Sequence, residues 1–170
     1  MIALDPNGGR TVALIPATDF GDGVIEIDLA GVLAPGAPEG SRGFVGLVFR
    51  SRADGSRFEN IYLRHTNGRA DDQMRRNHAT QYASHPDYPW HRLRKENPGV
   101  YESYTDLEPG VWTRMRIEVE GVRARLYVND APQPCLIVND LKLGDTRGLV
   151  GLWIGAGTEA CFSNLRITPR

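Results

Sequence analysis

A chain of 170 residues with 41% hydrophobic content suits one domain with one core, read as spanning residues 1–170. Twenty Lys and Arg against twenty-one Asp and Glu leave a formal net charge of −1, which excludes the global electrostatic footprint of a nucleic-acid binder and leaves charge-based recognition to local clusters. No run of about 18 apolar residues occurs, so no membrane-spanning helix is expected. The opening MIALDPNGGRTVALIP places Asp5 and Pro6 where a signal peptide needs its apolar segment, so a cytoplasmic location is expected, or a secreted one if a leader has been removed.

Along the chain, short alternating segments are each closed by Gly, Pro, Asn or Asp. They are VIEIDL (24–29), GFVGLVFR (43–50), FENIYLR (58–64), GVYESY (99–104), WTRMRIEVE (112–120), VRARLYV (122–128), CLIV (135–138), GLVGLWIG (148–155) and EACFSNLRI (159–167). No window carries the i, i+3, i+4, i+7 spacing of a capped helix, whereas strands recur about every 10 to 15 residues, the mark of a two-sheet sandwich. The expected fold class is all-β with almost no helix.

In the first segment Glu26 and Asp28 share a strand face and resemble the start of the E-x-D-x-E strand motif of family 16 glucanases. Ala30 stands where the third carboxylate would be, so both acids read as solvated strand residues. In the next two, period-two alternation turns Val45, Leu47, Phe49, Ile61 and Leu63 inward. The opposite face then shows Phe44, Val48, Arg50, Asn60, Tyr62 and Arg64, planar, aromatic and cationic groups that suit a ligand better than they suit water. Glu59 falls on the inward parity, which would bury a carboxylate unless it lies near a rim or has a partner.

From 66 to 98 the chain runs TNGRADDQMRRNHATQYASHPDYPWHRLRKENP with little alternation. Loops of that length in compact domains are functional or disordered. The rings of His78, Tyr82, His85, Tyr88, Trp90 and His91 argue against a solvated linker, so an ordered excursion folded over the face of Arg50, Asn60, Tyr62 and Arg64 is expected. Further on, Met115, Ile117 and Val119, then Ala124, Leu126 and Val128, face inward across a hairpin turning at Gly121. The Arg and Glu residues between them read as cross-strand pairs on a solvated face. Val150 and Leu152 complete the expected core. Cys135 and Cys161 read as small buried thiols or as a pair.

Little of the standard chemistry has a starting point. The histidines at 65, 78, 85 and 91 lack paired zinc-ligand spacing, and there is no nucleophile elbow, phosphate loop or dinucleotide fingerprint. Asp71, Asp72, Asn67 and Asn77 could offer oxygens to a divalent cation such as calcium, without the spacing of a known calcium loop. Carboxylates at or near the excursion are Glu59, Glu102 and Asp106.

The succession GLVFR, FENIYLR, GVYES, EPGVWTRMRIEVEGVRARLYVND and GLVGLWIGAGTEACFSNLRI resembles the concanavalin A-like lectin/glucanase jelly roll, and more narrowly the 3-keto-disaccharide hydrolase domain. The similarity spans the chain from about Phe20. It implies two antiparallel sheets, a concave sheet with loops that recognise carbohydrate, and a sugar site near Phe58-Glu59 and the G-x-Y of Gly99 to Tyr101. Where that family carries an acid at the end of the strand, this chain has Arg64.

Two readings follow. In the first, a saccharide or related polyol binds between sheet and excursion through Arg50, Asn60, Tyr62, Arg64, His65, Asn67, Arg76, Tyr82, Trp90, His91 and Tyr101, and a glycoside or keto-sugar hydrolysis would use Glu59 or Glu102 as acid/base with His78 assisting. In the second, the domain is a non-catalytic interaction module whose excursion only closes the sheet. Paired carboxylates in a pocket favour an enzyme; an internally satisfied, packed excursion favours the module.

Overall fold

In a computed structural model of the protein, which describes residues 11–170, the alternating segments all become strands. The N-terminal positions Asp5 and Pro6 lie outside the described residues. Among the described residues there are eleven strands: β1 (Thr11–Leu14), β2 (Gly23–Leu33), β3 (Phe44–Ser51), β4 (Phe58–Arg64), β5 (Thr80–His85), β6 (Glu102–Ser103), β7 (Thr113–Glu120), β8 (Arg123–Val128), β9 (Leu136–Val138), β10 (Leu149–Ile154) and β11 (Thr158–Pro169). They form two antiparallel sheets, one ordered β1-β10-β3-β4-β5-β6 and the other β11-β2-β7-β8-β9.

Alternation explains how the sheets meet. Val45, Leu47, Phe49, Ile61 and Leu63 of one sheet pack on Ile25, Ile27, Leu29, Met115, Ile117, Val119 and Leu126 of the other, all essentially without solvent contact. Val150 belongs to the same core, while Leu152 packs against it half-buried because β10 lies one strand from the sheet edge. The hairpin turns at Gly121, in the left-handed region at φ 56°. On the outer face of that sheet Arg114 meets Asp28 at 2.8 Å and Glu26 at 3.8 Å, and Arg116 pairs with Glu118. These charges neutralise one another.

Two features depart from the expected pattern. The cysteines are free, and only Cys135 is partly buried, its thiol pushed up to about 11 by burial; Cys161, on edge strand β11, is exposed. The excursion is ordered as expected, but it is built of regular elements: α1 (Gln73–Asn77), the sheet strand β5, and α2 (Trp90–Glu96). Asp72 starts α1 by accepting from the amides of Met74 and Arg75 at 2.9 and 3.2 Å. Leu93 anchors α2 in the core. No described helix is long and apolar enough to cross a membrane.

The open face of the six-stranded sheet carries a second cluster, Val48, Phe58, Tyr62 and Trp153, flanked by Phe44. Trp153, Gly46 and Tyr62 stand side by side across three strands, and the Tyr62 and Trp153 rings stack at 4.4 Å over the glycine. A β-carbon on Gly46 would lie 2.3 Å from the Ile61 carbonyl and 2.6 Å from Cβ of Tyr62. Gly46→Ala is therefore expected to destabilise the fold by about 1–3 kcal/mol in urea denaturation. Gly40→Ala, where nothing lies within 4 Å, should stay within about 0.5 kcal/mol of the parent.

Candidate functional site

The site follows from register. Tyr62 on β4 is opposite Gln81 on β5, and Gln81 is opposite Glu102 on β6, so the aromatic row of the open face runs on into an amide and a carboxylate. Arg64, two residues beyond Tyr62 and on the same face, reaches across this polar end. Its Nη1 donates to Glu102 Oε1 at 3.1 Å and to the His78 carbonyl at 3.0 Å, and its Nη2 donates to Gln81 Oε1 at 2.8 Å. Arg94, from α2, grips the same carboxylate as a fork: Nε donates to Oε2 at 2.9 Å and Nη2 to Oε1 at 2.5 Å. Both guanidinium groups lie over Trp90, at 4.6 Å for Arg94 and 6.0 Å for Arg64.

From α1 comes the other wall. Asn67 donates to the His78 carbonyl at 3.1 Å and accepts from Arg75 Nε at 3.2 Å, while Arg75 Nη2 reaches the carbonyl and hydroxyl of Thr66. Gly40, Arg42, Phe44, Arg64, Asn67, Arg75, His78, Trp90 and Arg94 line a hollow of about 350 Å³. A second hollow of about 550 Å³ shares His78 and Arg94 with it and extends past Glu102 to Met74 and Tyr104. Burial holds the His78 imidazole below its ordinary pKa; Glu102 and Asp72 oppose this, and Arg94 and Arg64 reinforce it.

Of the residues expected at the site, Arg64, Asn67, His78 and Trp90 line the first hollow, His78 and Glu102 line the second, and Tyr62 lines neither but has Arg64 5.3 Å from its ring. The others are elsewhere. Arg50 leaves the face because β3 bulges there: it takes φ 50°, and its buried guanidinium bonds the carbonyls of Gly21 and Gly144 and the carboxylate of Asp22. Asn60 lines a separate hollow with Phe58, His85 and Pro86. His65 is buried, with Nδ1 3.2 Å from the Gly43 carbonyl, and burial lowers its pKa. Arg76 donates to the Ala70 carbonyl, and exposed His91 packs edge-on against Trp90 at 5.5 Å.

Glu59, Tyr82 and Tyr101 point into the sandwich. Glu59 accepts from the Tyr82 hydroxyl at 2.6 Å and from the Leu143 amide at 2.7 Å, and the Tyr101 hydroxyl donates to Asp140 at 2.6 Å. Three of the four residues considered for a cation are also engaged: Asp72 caps α1, Asn67 accepts from Arg75, and Asn77 accepts from Gln73. Among the described residues no group of three or more His, Cys, Asp or Glu is arranged to hold a metal ion. Arg42, Arg75, Arg94 and Gln81 were not anticipated. The basic pairs RR at 75–76 and RLRK at 92–95 were the available signal, without information on their direction.

No family model matches the chain, nor does any curated protein sequence. Among solved structures, the chain is similar to carbohydrate binding module CBM66 from Bacillus subtilis, with TM-score 0.65, 19% identity, and 92% of this chain and 80% of that chain covered. It is also similar to a protein of unknown function with galectin-like fold from Bacillus subtilis, at TM-score 0.60 and 14% identity over 95% and 79% of the two chains. Galectin LEC-6 of Caenorhabditis elegans gives TM-score 0.52 and 10% identity over 96% and 99%. At these identities the likeness is one of fold, a galectin-like jelly roll.

Two outcomes test the electrostatics. Burial raises the folded-state pKa of Glu59 above the ordinary glutamate value of 4.5, against the lowering effect of its bonds to Tyr82 and Leu143. The folded state then holds the proton more tightly than the unfolded chain, so this group's contribution to stability falls as pH rises from about 4.5 through the folded pKa. Stability measured by denaturant at pH 4.5 and at pH 7.5 should therefore shift in favour of Glu59→Gln at the higher pH. Glu102→Ala leaves the buried Arg64 guanidinium without its carboxylate and should cost about 3–5 kcal/mol.

Proposed function

We propose that the protein is a carbohydrate-recognition module that binds a saccharide in the paired hollows between the open sheet face, α1 and α2. The observation that carries this reading is the half-exposed Trp90 ring set beside guanidinium groups that are already held in place by Glu102. A sugar presents an apolar C–H face and a rim of hydroxyls, so it needs a flat aromatic surface and fixed forked donors at one place. Trp90 and the arginines supply both, and the adjoining hollow with exposed Tyr104 gives room for a second sugar unit. The similarity in fold to a carbohydrate binding module and to a galectin supports the same reading.

Hydrolysis is the weaker form of this proposal. Cleaving a glycosidic bond by the usual route takes two carboxylates flanking it. The paired hollows hold Glu102 alone, and its oxygens are bonded to Arg64 and Arg94. Glu59 and Tyr101, the positions through which the sequence resembles the 3-keto-disaccharide hydrolase domain, are used here to tie strands to loops inside the sandwich. We therefore read the site as one that binds.

Calorimetric titration against a panel of mono- and disaccharides, 3-keto forms included, tests the reading, with product analysis after long incubation. Binding without turnover is expected. Trp90→Ala should cost about 1 kcal/mol of that binding, the scale of one aromatic contact. Arg123→Ala, on the far hairpin, should change nothing. If no saccharide binds, the sheet face and its excursion form a protein-interaction surface instead.

A further inference from the structure

The hydrogen-bonding character of the pocket narrows the kind of sugar. Sugar hydroxyls both donate and accept, so a site for a neutral sugar offers a mixture of free donors and acceptors. Here the carboxylate and amide oxygens each already take an arginine bond: both Glu102 oxygens from Arg64 and Arg94, the Gln81 oxygen from Arg64, and the Asn67 oxygen from Arg75. Arg75 and Arg94 bond through Nε and Nη2 only, so the Nη1 donors of both lack a protein acceptor among the described residues. Arg42 uses Nη1 alone, on the carbonyls of Glu39 and Ser41. Beside the His78 ring, the free side-chain groups of the hollow are therefore guanidinium donors.

Its charge is equally one-sided. Arg42, Arg64, Arg75 and Arg94 line the space, and Glu102 is the carboxylate in contact with them; Asp72, the next acid, is exposed and turned to the amides of α1. On the outer face of the opposite sheet, by contrast, Arg114 is met by two acids and Arg116 by one. Four guanidinium groups facing one partly enclosed space repel one another, and a bound anion relieves that repulsion.

From this donor surface and charge we infer that the saccharide carries an anionic substituent, a uronate carboxylate or a sulfate ester, which sits against the free Nη1 groups of Arg75 and Arg94. The inference rests on the reading of the site as saccharide-binding. Such groups only accept, which matches what the pocket offers, and they take the forked geometry of arginine better than a hydroxyl does.

The test is calorimetry of the full chain with glucuronate- and galacturonate-containing disaccharides, sulfated disaccharides, the matching neutral disaccharides, and sodium acetate and sodium sulfate alone. Uronates or sulfated sugars are expected to bind at least about tenfold more tightly than their neutral counterparts, the scale of one charge-assisted bond, and the preference should shrink as sodium chloride is raised. The two anionic sets show whether carboxylate or sulfate is taken. Arg75→Gln and Arg94→Gln should reduce the ratio of acidic to neutral affinity, and Arg75→Lys should retain part of it, with thermal melts confirming that each variant is folded. Equal binding of neutral and acidic sugars overturns the anionic assignment and leaves the saccharide reading standing. Acetate or sulfate alone binding as tightly as the acidic sugars overturns it in favour of a plain anion site, and no binding by any sugar overturns both.

Discussion

Much of the site depends on one buried carboxylate, Glu102, shared by Arg64 and Arg94. Removing Glu102 and Arg64 from water is costly, and the arrangement is tolerable because each oxygen of the acid takes a guanidinium bond, one of them from partly exposed Arg94, and Arg64 has two further acceptors in Gln81 and the His78 carbonyl. The elements joined this way come from distant parts of the chain. Arg64 ends β4, Glu102 opens the two-residue strand β6, Arg94 belongs to α2, and His78 is the C-cap of α1. A strand of two residues and helices of five and seven have little stability of their own. Their ion-pair and hydrogen-bond network, with Leu93 in the core, holds them to the sheet.

The same network does the preparatory work of binding. Arginine side chains in water lose considerable rotamer freedom when they grip a ligand. Here Arg64 and Arg94 are fixed by Glu102, and Arg75 by Asn67 and Thr66, before any ligand arrives. Strand β4 shows how one segment serves two purposes. Its inward residues, Glu59, Ile61 and Leu63, close the sandwich and fasten the 140–144 loop through the Leu143 amide, while on the other side Tyr62 joins the outer aromatic cluster and Arg64 faces the hollow.

Alternation with period two was sufficient to find nine strands and to assign the inward faces of β3, β4, β7, β8 and β10, because a half-buried strand prints its environment directly on the sequence. Strand β5 escaped because it is covered on both sides: Thr80, Gln81, Tyr82 and Ser84 are all buried, and their polar atoms are satisfied by Glu59, Tyr101 and Ser103, so no polar face marks the strand. The helices are too short to show a 3.6-residue period. On β4, parity placed Tyr62 and Arg64 on the outer face and warned that Glu59 would be inside, as the structure has them. It misplaced Arg50, since a bulge with a left-handed residue cannot be read from alternation. Arg75 and Arg94 carried no sign of direction, as that depends on how α1 and α2 dock.

A net charge of −1 hid the most distinctive property of the molecule. The acids that balance the total are largely spent elsewhere, for example Glu26 and Asp28 on Arg114, Asp106 and Glu108 on Arg69, and Asp87 on Arg57. What remains at the hollow is an unbalanced group of guanidinium ions with few competing charges in contact. At physiological salt its field fades over about 8 Å, so it acts at the mouth of the pocket and does not draw ligands from a distance. Selection must then happen on contact, where the fixed Nη1 donors of Arg75 and Arg94 and the ring of Trp90 require charge, lone-pair direction and a flat apolar face to arrive together.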